Sequence, residues 1–140
     1  MVMLRHLSLL LVILSFGGCA STPTTLYDQL GGQEKIALIV DNFIKEIEFD
    51  AVIFQHFKDS DVSRFREKLI EQLCAETGGN CQYTGDSMEK VHTGMKISES
   101  DFNRTVDLLI NAMTKADVSY PLQNRVLAKL APMRADIYQR

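Results

Sequence analysis

Histidine is scarce in this chain: three stand among 140 residues, at His6, His56 and His92. Cysteine is as scarce, at Cys19, Cys74 and Cys81, and there are three prolines and no tryptophan. Each shortage excludes something. The scattered Cys and His residues do not give the short-spaced ligand set of a structural zinc site. Few prolines leave long helices unbroken. Alternation of apolar and polar residues over strand length is also missing, so the fold class is all-α. Lys and Arg form no stripe and the net charge is only −3, so no nucleic-acid partner is expected. No Ser-His-Asp order stands out. Gly31-Gly32 and Gly78-Gly79 lack the strand-loop-helix setting of a phosphate loop. There is no internal repeat and no low-complexity run.

An apolar run long enough to span a bilayer is missing too. Leu7 to Phe16 is almost wholly apolar, follows the positive Arg5, and is too short for a mature spanning helix. Residues 1–18 therefore read as a cleaved leader. Gly17-Gly18-Cys19 resembles a bacterial lipoprotein box, with Cys19 as the lipidated first residue and Phe16 where leucine is more usual. An ordinary secretory signal cut nearby is the alternative. Ala20, by analogy with lipoprotein sorting, directs the protein to the outer membrane, facing the periplasm. Acyl chains would then anchor it without a spanning helix. Residues 19–25 form a polar Ser/Thr/Pro tether, and residues 26–140 one domain. In an oxidising compartment Cys74 and Cys81 pair as a disulfide; two free thiols are the alternative.

The chain reads as a series of helices. Leu26 to Leu30 forms one turn before Gly31-Gly32. Gln33 to Ile47 carries Ile36, Ile39, Val40, Phe43, Ile44 and Ile47 at helical spacing. Val52, Ile53, Phe54 and Phe57 anchor a connector. The spacing predicts a helix over 62–76, capped by Asp61 or Ser63, with Phe65, Leu69 and Gln72 or Leu73 inward. A short helix capped by Asp86 or Ser87 carries Met88, Val91, His92 and Met95. Ser98 to Asp101 opens the next, whose stripe is Phe102, Val106, Leu109, Ile110 and Met113. The last begins at Pro121, carries Leu122, Val126, Leu127, Leu130 and Ile137, and is disturbed by Pro132.

A lone histidine such as His92 is more often a structural residue than a ligand. Haem changes that balance, because it needs one protein ligand and an apolar slot. Leu26-Tyr27-Asp28-Gln29-Leu30-Gly31-Gly32 resembles the opening of the truncated (2-on-2) haemoglobins. Tyr83-Thr84-Gly85, with Met88, Val91-His92 and Gly94-Met95-Lys96-Ile97, is similar to their proximal segment, especially that of group I. The resemblance spans residues 26–118. It implies a shortened globin, a two-over-two helical sandwich around haem b (iron protoporphyrin IX), with His92 as proximal iron ligand. It places Phe43 and Ile44 on the distal wall, Phe65 and Leu69 opposite, and Phe57 against the ring. Leu73, Met88, Val91, Met95, Ile97, Phe102 and Val106 complete the contacts. Lys68 matches a position that pairs with a propionate, and in some relatives that position supplies a sixth iron ligand; His56 is a second candidate.

Relatives often have tyrosine at the position of Ile44 and glutamine at Phe65 or Leu69. All three are apolar here, which implies poor retention of dioxygen and a shift towards carbon monoxide and nitric oxide. The implied function is reversible binding of a diatomic gas. The alternative is a haem-dependent redox enzyme (nitric oxide dioxygenase or peroxidase-like) served by an electron-donor protein. The apolar wall offers no evident general acid for peroxidase chemistry.

Overall fold

A computed structural model describes residues 24–138, all helix, turn and loop. The leader, Cys19 and most of the tether lie outside the described residues. The α-helices are α1 (Leu26–Leu30), α2 (Gly32–Phe49), α3 (Val62–Glu76), α4 (Met88–His92), α5 (Glu99–Lys115), α6 (Tyr120–Leu130) and α7 (Arg134–Ile137). Short 3-10 turns at Ile53–His56 and Ala131–Met133 complete the order.

Local chemistry sets the helix starts. Thr25 with Asp28, and Ser98 with Asp101, form reciprocal capping boxes at α1 and α5. Asp61 accepts from the Arg64 amide at α3 and Ser87 from the Lys90 amide at α4. Each side chain satisfies an amide that the helix itself leaves without a partner. Gly31 ends α1 in the left-handed region, at φ 109°. Pro132 stops α6, and the chain restarts as α7 after a 3-10 turn.

α2 is the central beam, packed most extensively on α5 and then on α3, while α1 bridges α2 and α6. Of its expected stripe, Ile36, Ile39, Val40, Phe43 and Ile47 are buried and Ile44 is half-buried. The other stripes are wider than their spacing suggested. In α3 the buried set includes Ile70 and Cys74, while Phe65 and Leu69 are half-buried. In α5 Leu108, Leu109, Ala112 and Met113 are buried, while Phe102, Val106 and Ile110 are half-buried. Both helices thus carry a buried apolar arc beside a half-buried one, and from the latter Phe65, Leu69 and Ile110 pack against the margin of the core. The connector differs from expectation. Ile53 is buried and Phe57 packs half-buried against the core, whereas Val52 and Phe54 are 47% and 40% exposed. A short 3-10 turn points successive side chains in different directions, and only one fits beneath it.

The second glycine pair closes α3. Gly78 has φ +86°, and a Cβ on Gly79 would lie 2.5 Å from Cys74 Sγ and 2.8 Å from Cδ2 of Tyr27. Cys74 and Cys81 are joined there as a disulfide with Cα atoms 5.9 Å apart. Gly79→Ala should therefore destabilise the fold by about 1–3 kcal/mol through overpacking. Equilibrium unfolding in urea measures this, and a variant as stable as the parent would show that the contact yields freely.

Candidate functional site

The proximal candidate sits at the end of α4. His92 Nδ1 is 2.7 Å from the carbonyl oxygen of Met88, one turn back. A carbonyl can only accept, so Nδ1 carries the proton. In the neutral ring this leaves Nε2 with a bare lone pair, the form that binds metals. Gly94 at φ +85° then turns the chain away, and Lys96 follows at φ 54°.

The proposed wall residues share a property that core residues lack. Ile44, Phe57, Phe65, Leu69, Met88, Met95, Phe102 and Val106 are half-buried, as His92 is. They are the half-buried arcs of α3 and α5, together with Ile44 of α2, Phe57 just after the first 3-10 turn, Met88 of α4 and Met95 in the loop after it. Phe65 stands edge-on to Phe57 with ring centres 4.9 Å apart, and 6.5 Å from Phe43. Such edge-on pairs favour a fixed wall. Phe43 and Ile97 are buried. Leu73 is 1% exposed and enclosed by core neighbours, so it packs behind the wall, and Val91 is 48% exposed at the opposite extreme.

Lys68 is held at the rim. Its Nζ donates to Glu67 Oε1 at 2.7 Å, Glu71 Oε1 at 2.9 Å and Thr84 Oγ1 at 2.8 Å. Glu67 and then Glu71 raise its pKa. Iron ligation needs a bare amine, and these carboxylates keep the proton in place. His56, the second candidate for a sixth ligand, faces a carboxylate instead. Its side chain is only 22% exposed and Nε2 is 3.7 Å from Asp101 Oδ2.

Glu71 is the site residue that sequence reasoning undervalued. It accepts from the amide and hydroxyl of Thr84, and so ties the loop before α4 to α3. Its spacing of three from Lys68 was a usable signal, but Thr84 is a tertiary partner that no local pattern reveals. Lys68, followed by Thr84, lowers the Glu71 pKa from 4.5 to about 2. A depressed carboxylate adds stability above its unfolded pKa and loses it as the pH falls through the folded one. Between pH 4.5 and about 2, then, the parent protein should lose more stability than Glu71→Gln. Parallel acid-unfolding curves for the two would remove Glu71 from this role.

The donor set fits one group well. It offers an imidazole nitrogen, half-buried apolar side chains on several elements, and the Lys68 cation held by Glu67, Glu71 and Thr84. Haem requires an axial ligand, an apolar slot and partners for two carboxylates.

Comparison with known proteins agrees. Residues 25–139 match the family model described as bacterial-like globin. The chain is 30% identical over 115 residues to the group 1 truncated hemoglobin GlbN of Mycolicibacterium paratuberculosis, covering 82% of this chain and 85% of that protein. It is also 30% identical over 117 residues to GlbN of a Nostoc species, covering 84% and 99%. The fold matches the crystal structure of Fe(III) truncated hemoglobin from Tetrahymena pyriformis with a TM-score of 0.80 at 23% identity, over 84% of this chain and 100% of that one. It also matches the 2/2 hemoglobin of a Synechococcus species with covalently attached heme, TM-score 0.77 at 21% identity, with coverage of 84% and 100%. The all-helical fold of the described residues and these matches place the chain in the bacterial-like globin family, among the group 1 truncated haemoglobins.

Proposed function

We propose that this globin binds haem b, that His92 Nε2 would be its iron ligand, and that the bound haem would reversibly bind a diatomic gas. The observation that carries this reading is the His92 Nδ1 contact to the Met88 carbonyl, which orients the ring and leaves Nε2 as donor. Bound haem would supply an iron centre for the gas. The chain's own residues do the rest. Phe57 and Phe65 brace the wall, Phe102 and Val106 add apolar surface on α5, and Lys68 would meet a propionate only by releasing Glu67, Glu71 or Thr84. Ile44, Phe65 and Leu69 give a captured gas no hydrogen bond, which favours carbon monoxide and nitric oxide over dioxygen. Absorption spectra of the purified protein, ferric, ferrous and with carbon monoxide, test the reading. A protein that stays colourless with haemin would sink it.

We also propose that the globin is exported and lipid-anchored at Cys19, in the cell envelope facing the periplasm. The apolar run ending at Gly17-Gly18-Cys19 supports this. Among the described residues no helix is long and apolar enough to cross a membrane, so anchoring would fall to acyl chains. Mass spectrometry of the mature N-terminus decides: diacylglycerol on Cys19 is expected, and an unmodified Cys19 in the mature protein would overturn it.

A further inference from the structure

α4 spans five residues and none of them is buried. One turn is far shorter than a helix needs to persist alone, so the placement of His92 must come from outside α4. The most extensive packing of α4 on another helix is with α7. α7 is itself only four residues long, and its first residue fastens it. The Arg134 guanidinium lies 5.2 Å from the centre of the Phe102 ring on α5 and 5.7 Å from that of Tyr138. Its Nη2 donates to Glu99 Oε1 at 2.9 Å. One residue earlier, Met133 Sδ accepts from the buried Gln72 amide at 3.3 Å, and the same amide reaches Met88 Sδ at 3.2 Å. Residues 131–138 therefore form a strap on which α3, α4 and α5 converge. Pro132 creates it by ending α6 and letting a new helix axis begin at Arg134.

We propose that Arg134 is a positioning residue for the proximal histidine: its stacking on Phe102 and Tyr138 holds α7 against α4 and so sets where His92 stands. The inference rests on the haem-binding reading above. The exposed pair with Glu99 contributes little by itself. Stacking of the cation on aromatic faces is the stronger hold, and the thioether contacts at Gln72 are adaptable packing.

The test compares the holoprotein with Arg134→Ala, Tyr138→Ala and Tyr138→Phe. Three quantities are read: the rate of haem transfer to excess apo-globin acceptor, the iron–histidine stretching band of the ferrous protein, and amide exchange at residues 91–93. Arg134→Ala and Tyr138→Ala should lose haem about three- to tenfold faster, with a shifted or broadened band. Exchange should quicken in α4 but not in α2. Tyr138→Phe keeps the ring beside Arg134 and should lie nearer the parent than Tyr138→Ala does. Unchanged haem transfer with an unmoved band would overturn the proposal, as would exchange that rises equally in every helix. If the parent takes up no haem, the haem reading fails, and exchange in α4 alone still decides whether Arg134 holds the helix.

Discussion

His92→Ala protein supplied with haemin should show no Soret band of a ligated haem. The loss should exceed the roughly 10- to 100-fold in affinity typical of removing a partner outside the coordination sphere, because the iron loses its protein ligand. The wall remains in the variant, so any residual greasy binding is weak and lacks a defined axial ligand. Added imidazole should restore part of the band by filling the space of the missing ring. His56→Ala should bind haem as the parent does, since His56 Nε2 stands by Asp101, at 3.7 Å. Lys68→Ala should alter haem retention only slightly, because the ammonium is engaged with Glu67, Glu71 and Thr84. A full Soret band in His92→Ala, lost on further replacement of His56, would move the ligand assignment.

The second large effect concerns gas selectivity. Ile44→Tyr should slow dioxygen release about ten- to hundredfold, the rate equivalent of a hydrogen bond of roughly 1.5–3 kcal/mol to a partly charged acceptor. Ile44→Phe brings the added bulk without the hydroxyl and should leave release fast. Carbon monoxide release should change little in either variant, because that ligand gathers less charge. Stopped-flow measurement on the ferrous proteins separates these outcomes. Equal dioxygen rates for the Tyr and Phe variants would show that shape, not polarity, governs this wall. A parent protein that already holds dioxygen as tightly as Ile44→Tyr would mean that a donor reaches the gas from elsewhere.

The half-buried state of Phe65 and Leu69 gives these predictions their footing. They were expected to face inward, and they do so only in part, while Ile70 and Cys74 fill the core. Spacing identifies that α3 has an apolar side; it does not say that the side is shared between a core and a wall. The same division appears in α5, where Leu108 and Ala112 proved buried and Phe102 and Val106 half-buried. Likewise, the connector between α2 and α3 contains four large apolar residues, of which only Ile53 is buried. Composition alone ranks all four alike.

The sequence by itself determined what is local. The helical spans, the helix opening at Ser98, the break at Pro132 and the turn at Gly31 follow from contacts within about one helical turn, and at α3 and α4 the sequence narrows the cap to two residues each, of which Asp61 and Ser87 serve. It also singled out His92, the glycine pairs and the apolar character of position 44. Tertiary structure decided which partners meet. Thr84 reaches Glu71 across 13 positions and Gln72 reaches Met133 across 61. Arg134 comes to rest between Phe102 and Tyr138 only once α5 and α7 have packed. The reason is physical: a helix chooses its own hydrogen bonds, but a side chain's long-range partner depends on how whole helices share one limited core.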